Sequence, residues 1–291
     1  MSDVTFFMLV TPRDIVLADY AVNSYNKIKG VNFTLEIYCN YILPEQKRYY
    51  FPRWERYPFV KIRRNDHHDA DVDAIKERIS EQRLEGPFES CDTIWDRELP
   101  KIGTPLVATV DADFEILRPR FVHAILDKLA HAPTMIACST DFTPISVYYE
   151  PYSKENIILN ERNGTWFCVY RRDAFARSTV SHGYYQEILA SASIRRNSWD
   201  SCAFFQKSLR DQGYQIGHLD AKYQRDFIHY GAFSKNTSVT RETVKVFRFF
   251  ALAEHRLPWR AGRLVRQARS RFLPRLENNR YTWVREAPIA W

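Results

Sequence analysis

The 291-residue sequence has no uninterrupted apolar stretch of the roughly 18 residues that a membrane-crossing helix needs, which argues against an integral helical membrane protein. Residues Met1 to Val10 lack a basic region followed by a long apolar one, so no signal peptide is expected. The five cysteines, Cys39, Cys91, Cys138, Cys168 and Cys202, are odd in number, scattered and never spaced as CxxC. That pattern argues against a disulfide framework and a zinc site, and for reduced core thiols. The expected localisation is therefore cytoplasmic, or peripheral to the inner face of a membrane. No RNA-recognition signature and no Lys-rich tail is present, so a nucleic-acid partner is not expected. Internal repeats and low-complexity linkers are also missing.

What is present is a folding, basic chain. Hydrophobic residues make up 45% and aromatics 15%, with 19 Phe and 17 Tyr, enough for a sizeable core. The formal net charge is +7 and the pI is near 9.1. A basic balance suits an anionic partner, such as a nucleotide diphosphate or an anionic membrane surface.

Hydrophobic patterning alternates between strands and helices. Val4 to Val10 is an apolar run of β-formers ended by Thr11-Pro12 and reads as a buried first strand. Asp14 is placed to cap a helix running to about Lys29. Phe33 to Tyr38 and Phe59 to Ile62 read as further strands. Helices are expected over Val72–Arg83 and Ser90–Leu99, and a strongly apolar strand over Thr104–Val110. A helix over Phe121–Leu129, strands over Met135–Ser139 and Asn163–Tyr170, and a helix over Ser201–Gln212 follow. This alternation implies a mostly parallel sheet with crossover helices. Residues 242–276 read as basic and helical. The expected division is a main domain over 1–240, with halves of about 1–113 and 114–240, and a C-terminal helical extension over 241–291.

The chemistry concentrates at Asp111-Ala112-Asp113, directly after the apolar strand. Two carboxylates one residue apart at a strand end point the same way and can address one hard cation. In open α/β sheets ligands bind beyond that end. A solvated acidic turn is the other reading. The segment LVATVDADFEIL resembles the DxD segment of GT-A fold glycosyltransferases, and the order of elements over residues 4 to 236 is similar to theirs. The resemblance implies a Rossmann-like fold and a nucleoside-diphosphate sugar as donor, with UDP the default. It also implies Mn²⁺ or Mg²⁺ held by Asp111 and Asp113, with Asp111 near the ribose.

The same resemblance assigns roles elsewhere. His229 and Lys235, in FIHYGAFSK, resemble a late His…Gly…Lys segment in which the histidine is a metal ligand and the lysine touches the diphosphate. The glycine here stands two residues after the histidine rather than three. Thr11, Arg13, Asp66 and Arg97 would face the nucleotide. Asn163, Gly164 and Trp166 would form the acceptor side. Asp200 stands where inverting enzymes of this kind place a carboxylate base, and an ordinary helix N-cap is its alternative role. The loop His67 to Asp73 is too crowded for a closed zinc site and reads as a solvated helix start.

Between Arg256 and Arg280 arginines recur, with Ala261, Leu264, Val265, Ala268 and Phe272 at helical spacing. A helix of that kind either packs its apolar side on the protein or lies on anionic lipid, which would suit a lipid-linked or carbohydrate acceptor. Two other functions remain. One is a nucleotidyltransferase of related fold, disfavoured because the loop after the first strand has no glycine. The other is a non-catalytic basic binding protein.

Overall fold

A computed structural model describes residues 3–63, 91–143, 147–150, 153–159, 162–178, 180–182, 185–188, 196–199, 202–231, 241–257, 261–262 and 264–265. The chain divides into two compact units, residues 1–229 and 230–291. The expected helix over Val72–Arg83, and Asp66, Asp200 and Lys235, lie outside the described residues, as does the His67–Asp73 loop.

The first unit is built on a seven-stranded sheet. Its strands are β1 (Val4–Val10), β2 (Phe33–Cys39), β3 (Val60–Arg63), β4 (Leu106–Asp111), β6 (Met135–Ser139), β11 (Phe167–Arg171) and β14 (Gln215–His218). Their spatial order is β14-β6-β11-β4-β1-β2-β3. All neighbours pair in parallel except β11, which runs against both β4 and β6. A ribbon of β5 (Phe114–Ile116) and β15 (Phe227–His229) stands beside the sheet, and β7 (Phe142–Thr143) pairs with β10 (Arg162–Asn163). Four further strands, β8 (Val147–Glu150), β9 (Ser153–Leu159), β12 (Tyr185–Ile188) and β13 (Arg196–Trp199), form a separate sheet ordered β12-β13-β9-β8.

Alternation along β1 shows why helices cover both faces of the large sheet. Phe6 and Met8 enter one core with Tyr25 of α1 (Ile15–Tyr25), Trp54 of α2 (Pro44–Glu55) and Phe121 of α4 (Arg120–His131). Phe7 points to the other side, against Ile94 and Trp95 of α3 (Cys91–Glu98). Side chains of this size contribute about 1.5–3 kcal/mol each on full burial. Along β11, Phe167 and Val169 join the first core while Cys168 and Tyr170 turn toward α6 (Ala203–Asp211). The result is a Rossmann-like, mostly parallel sheet flanked by helices. α5 (Ala174–Arg177) is a single turn, and α7 (Arg241–Arg256) belongs to the second unit.

Asp14 does not cap α1 through its side chain as the sequence reading expected. Its carboxylate turns back to accept from the Thr11 backbone N–H at 3.2 Å and from the Thr11 hydroxyl. A local turn thus wins over the cap.

Candidate metal and nucleotide site

Strand order reverses between β1 and β4. From β1 the chain builds outward through β2 and β3, then returns to place β4 on the other side. The carboxyl ends of β1 and β4 therefore flank the crevice at the topological switch point, where open α/β sheets bind ligands. Asp111 ends β4 and Asp113 follows it. Thr11, Arg13 and Asp14 leave the end of β1.

Two antiparallel pairings bring distant residues to this point. β15 pairs with β5 so that His229 lies opposite Phe114, the residue after Asp113. β11 pairs with β4 so that Phe167 lies opposite Val110, which sets Trp166 beside Asp111. The Asp111 N–H donates to the Trp166 carbonyl at 3.0 Å. The Thr109 hydroxyl donates to the Thr165 carbonyl at 2.8 Å.

The outcome is a cluster of three donors. His229 Nε2 lies 3.4 Å from Asp111 Oδ2 and 3.4 Å from Asp113 Oδ1. One ligand atom from each residue falls within 4.8 Å of the others. Asp113 is 4% exposed, whereas Asp111 is half-buried. Burial pushes the Asp113 carboxyl up from its ordinary value, against the pull of His229. Burial alone would lower the His229 imidazole, but the Asp113 and Asp111 carboxylates outweigh it and hold it up at about 10. Two hard oxygen donors and one imidazole suit a divalent cation. Ligands about 2.1 Å from a shared ion lie roughly 3–4 Å apart, as His229 does from each carboxylate at 3.4 Å. The residues fit Mn²⁺ or Mg²⁺.

Asp14 was not singled out from sequence as a site residue, yet it belongs to the same locality. Burial raises its carboxyl to about 7, over the opposing hydrogen bond from Thr11 and with the Asp113 charge adding to the effect. Its position three residues after Thr11, in the loop that leaves β1 beside β4, was the available signal.

Arg97 lies beside β2, where its Nη2 donates to the Tyr38 hydroxyl at 2.8 Å and its Nε to Glu98 at 2.8 Å. Arg63 joins Glu98 at 2.9 Å and Glu36 at 2.5 Å. Asn163 is buried. Its amide nitrogen donates to Ser139 Oγ at 3.1 Å and the Gly217 carbonyl at 2.8 Å. Its backbone exchanges two hydrogen bonds with the Gln206 side chain, at 2.7 and 3.1 Å. Asn163 therefore braces the loop leading into β11, while Gly164 and Trp166 follow it toward the cluster.

No protein-family model matches the chain, and no curated protein matches its sequence. Among solved structures it is similar to a mannosyltransferase from Pyrobaculum calidifontis in complex with GDP-Man and Mn²⁺, at 10% identity and a TM-score of 0.49. That match covers 76% of this chain and 55% of the other. It is also similar to the bifunctional glycosyltransferase WbbM in its apo form, at 10% identity, a TM-score of 0.44 and coverage of 85% and 51%. A third likeness is to a CMP:2-keto-3-deoxy-manno-octonic acid synthetase complexed with CTP, at 11% identity, a TM-score of 0.40 and coverage of 75% and 89%. The chain spans about half the length of the first two. The structures it resembles thus include glycosyltransferases with GT-A-like folds and nucleotidyltransferases. The fold assignment stands on the strand order itself, and the chemistry on the Asp111–Asp113–His229 cluster.

Proposed function

We propose that the protein is a metal-dependent glycosyltransferase, moving a sugar from a nucleoside-diphosphate sugar, a UDP-sugar first, to a hydroxyl acceptor in glycan, polysaccharide or glycolipid synthesis. The observation that carries this reading is the convergence of Asp111, Asp113 and His229 at the carboxyl end of β4, at the switch point of the sheet. Asp111, Asp113 and His229 would hold Mn²⁺ or Mg²⁺. The cation supplies neutralisation of the diphosphate's growing charge.

The remaining roles go to this chain's own groups. Thr11, Arg13, Asp66 and Arg97 face the nucleotide, and Lys235 faces the diphosphate. Asn163, Gly164 and Trp166 form the loop on the acceptor side. Asp200 accepts the proton of the acceptor hydroxyl as its oxygen bonds to the anomeric carbon and the bond to the diphosphate breaks. Retained anomeric configuration in the product, read by NMR, would remove that role from Asp200. A nucleotidyltransferase is disfavoured because the loop after β1, Thr11-Pro12-Arg13-Asp14, has no glycine and is folded on its own Thr11–Asp14 hydrogen bonds. We further propose peripheral contact of the C-terminal basic segment with an anionic membrane, which would bring the enzyme to a lipid-linked acceptor.

The test is a thermal-shift titration with UDP, GDP, dTDP and CMP, with and without Mn²⁺, beside Asp113→Ala. The expected result is stabilisation by one nucleotide only when Mn²⁺ is present, abolished in the variant. Stabilisation that ignores both Mn²⁺ and the substitution would overturn the reading.

A further inference from the structure

We infer that Trp166 is a positioning residue for His229, its indole serving as the floor that holds the imidazole in ligating orientation; this rests on the metal site proposed above. The two rings stack with centroids 5.0 Å apart and planes 19° from parallel. The two carboxylates hold the imidazole at one atom, Nε2, at 3.4 Å each, and the stack on Trp166 adds a constraint on its ring plane. Phe114, opposite it in the ribbon, meets it only at 6.2 Å and a 40° tilt.

The stack is built from both sides. On the far side, Trp166 is tied to the ligand loop itself, because its carbonyl accepts the Asp111 N–H. On the near side, Asn163 is locked by Ser139, Gly217 and Gln206. Gly164 then lets the indole lie against the backbone. A Cβ at that position would meet the ring at 2.5 Å and the Asp141 carboxylate at 2.2 Å. A side chain at 164 would therefore displace the indole, and glycine is what leaves room for it.

The indole has two faces and His229 takes one of them, so this role stands beside the acceptor-side role proposed above.

Outer partners that orient a ligating histidine change metal affinity by about 10- to 100-fold when lost. The experiment measures Mn²⁺ affinity by the EPR signal of the free ion, for the parent, Trp166→Ala, Trp166→Phe and Gly164→Ala. The expected result is a loss of about 10-fold or more for Trp166→Ala and Gly164→Ala, and recovery to within about 3-fold of the parent for Trp166→Phe. Circular dichroism and melting of the metal-free proteins identify any variant that fails to fold, and Trp166→Phe keeps an aromatic floor if the alanine variant does not. In metal-free protein the His229 ring protons, assigned through His229→Gln, should lose their ring-current shift in Trp166→Ala and in Gly164→Ala. Parent-like Mn²⁺ affinity in the folded alanine variants would overturn the positioning role while leaving the metal site standing. No Mn²⁺ binding by the parent would overturn the metal site, and the positioning role with it.

Discussion

Buried carboxylates in this protein differ in what faces them, and that difference separates structure from chemistry. Asp19 on α1 accepts from the Trp54 indole N–H at 3.1 Å and pairs with Arg53 at 3.3 Å. Asp226 is fully buried and paired with Arg120 at 2.5 Å. An arginine meets each carboxylate, which is a structural pairing. Asp19→Ala would leave the fully buried Trp54 without that acceptor, and we expect a loss of about 1–3 kcal/mol in urea unfolding. The same variant should keep any Mn²⁺-dependent nucleotide stabilisation. Asp111 and Asp113 instead face one another and a single imidazole, an arrangement that gains from a cation. The DAD pair was legible because two carboxylates follow an apolar strand directly. The position of His229 was legible only through a resemblance, since nothing local to residues 227–229 says that they pair with residues 114–116. Asp14 stands at the N-cap position of α1, but the bond of its carboxylate to Thr11, which depends on the turn that ends β1, replaces the expected side-chain cap.

Among the elements, apolar strands and amphipathic helices could be read from pattern, whereas α2, twelve residues long but polar and interrupted by Pro52, was not read. Of the strands, β1 and β4 carry nearly continuous apolar runs, as buried parallel strands do. Of the helices, α4 shows helical spacing of Phe121, Val122, Ile125 and Leu129. By contrast β5 and β15 have three residues each, too few to show any period, yet they deliver the third donor. The end of α3 offers a test at this scale. Asp96 accepts from the His182 imidazole at 2.6 Å, the His182 backbone N–H at 2.9 Å and the Ser181 hydroxyl at 2.5 Å. Burial alone would raise its carboxyl, but these bonds outweigh burial and hold it below the ordinary value. A depressed folded pKa contributes stability that is present above the unfolded value near 3.9 and is lost as pH falls through the folded one. Melting temperatures from pH 3 to 8 should therefore show the parent ahead of Asp96→Ala at neutral pH, with the gap closing below about pH 4. A gap that is constant across this range would mean that the loss is one of packing.

At the scale of the whole molecule, charge is unevenly spread. Residues 241–291 hold 12 Lys or Arg against 4 Asp or Glu, a net of +8, while the whole chain carries +7. The basic character is therefore a property of the C-terminal segment alone. On α7 of that segment, Val244, Phe247 and Ala251 are buried, and Phe247 packs on Tyr230 at 5.0 Å. Phe249 stands 69% exposed on the same helix, with Lys245 one turn before it. Such an arrangement suits a surface that is both anionic and apolar. Sedimentation of the full chain with phosphatidylglycerol vesicles, but not with phosphatidylcholine vesicles, is the expected result. It should weaken in high salt and in Phe249→Asp, and equal sedimentation with both vesicles would refute charge-directed binding. The antiparallel ribbon has a consequence in time as well as in space. During synthesis from the N-terminus, β1 to β4 and both aspartates leave the ribosome long before Phe227–His229 does. On the proposed function, a nascent chain would present an incomplete, two-carboxylate site, and the three-donor set would be complete only once β15 pairs with β5. A metal would then reward a finished domain rather than template an unfinished one.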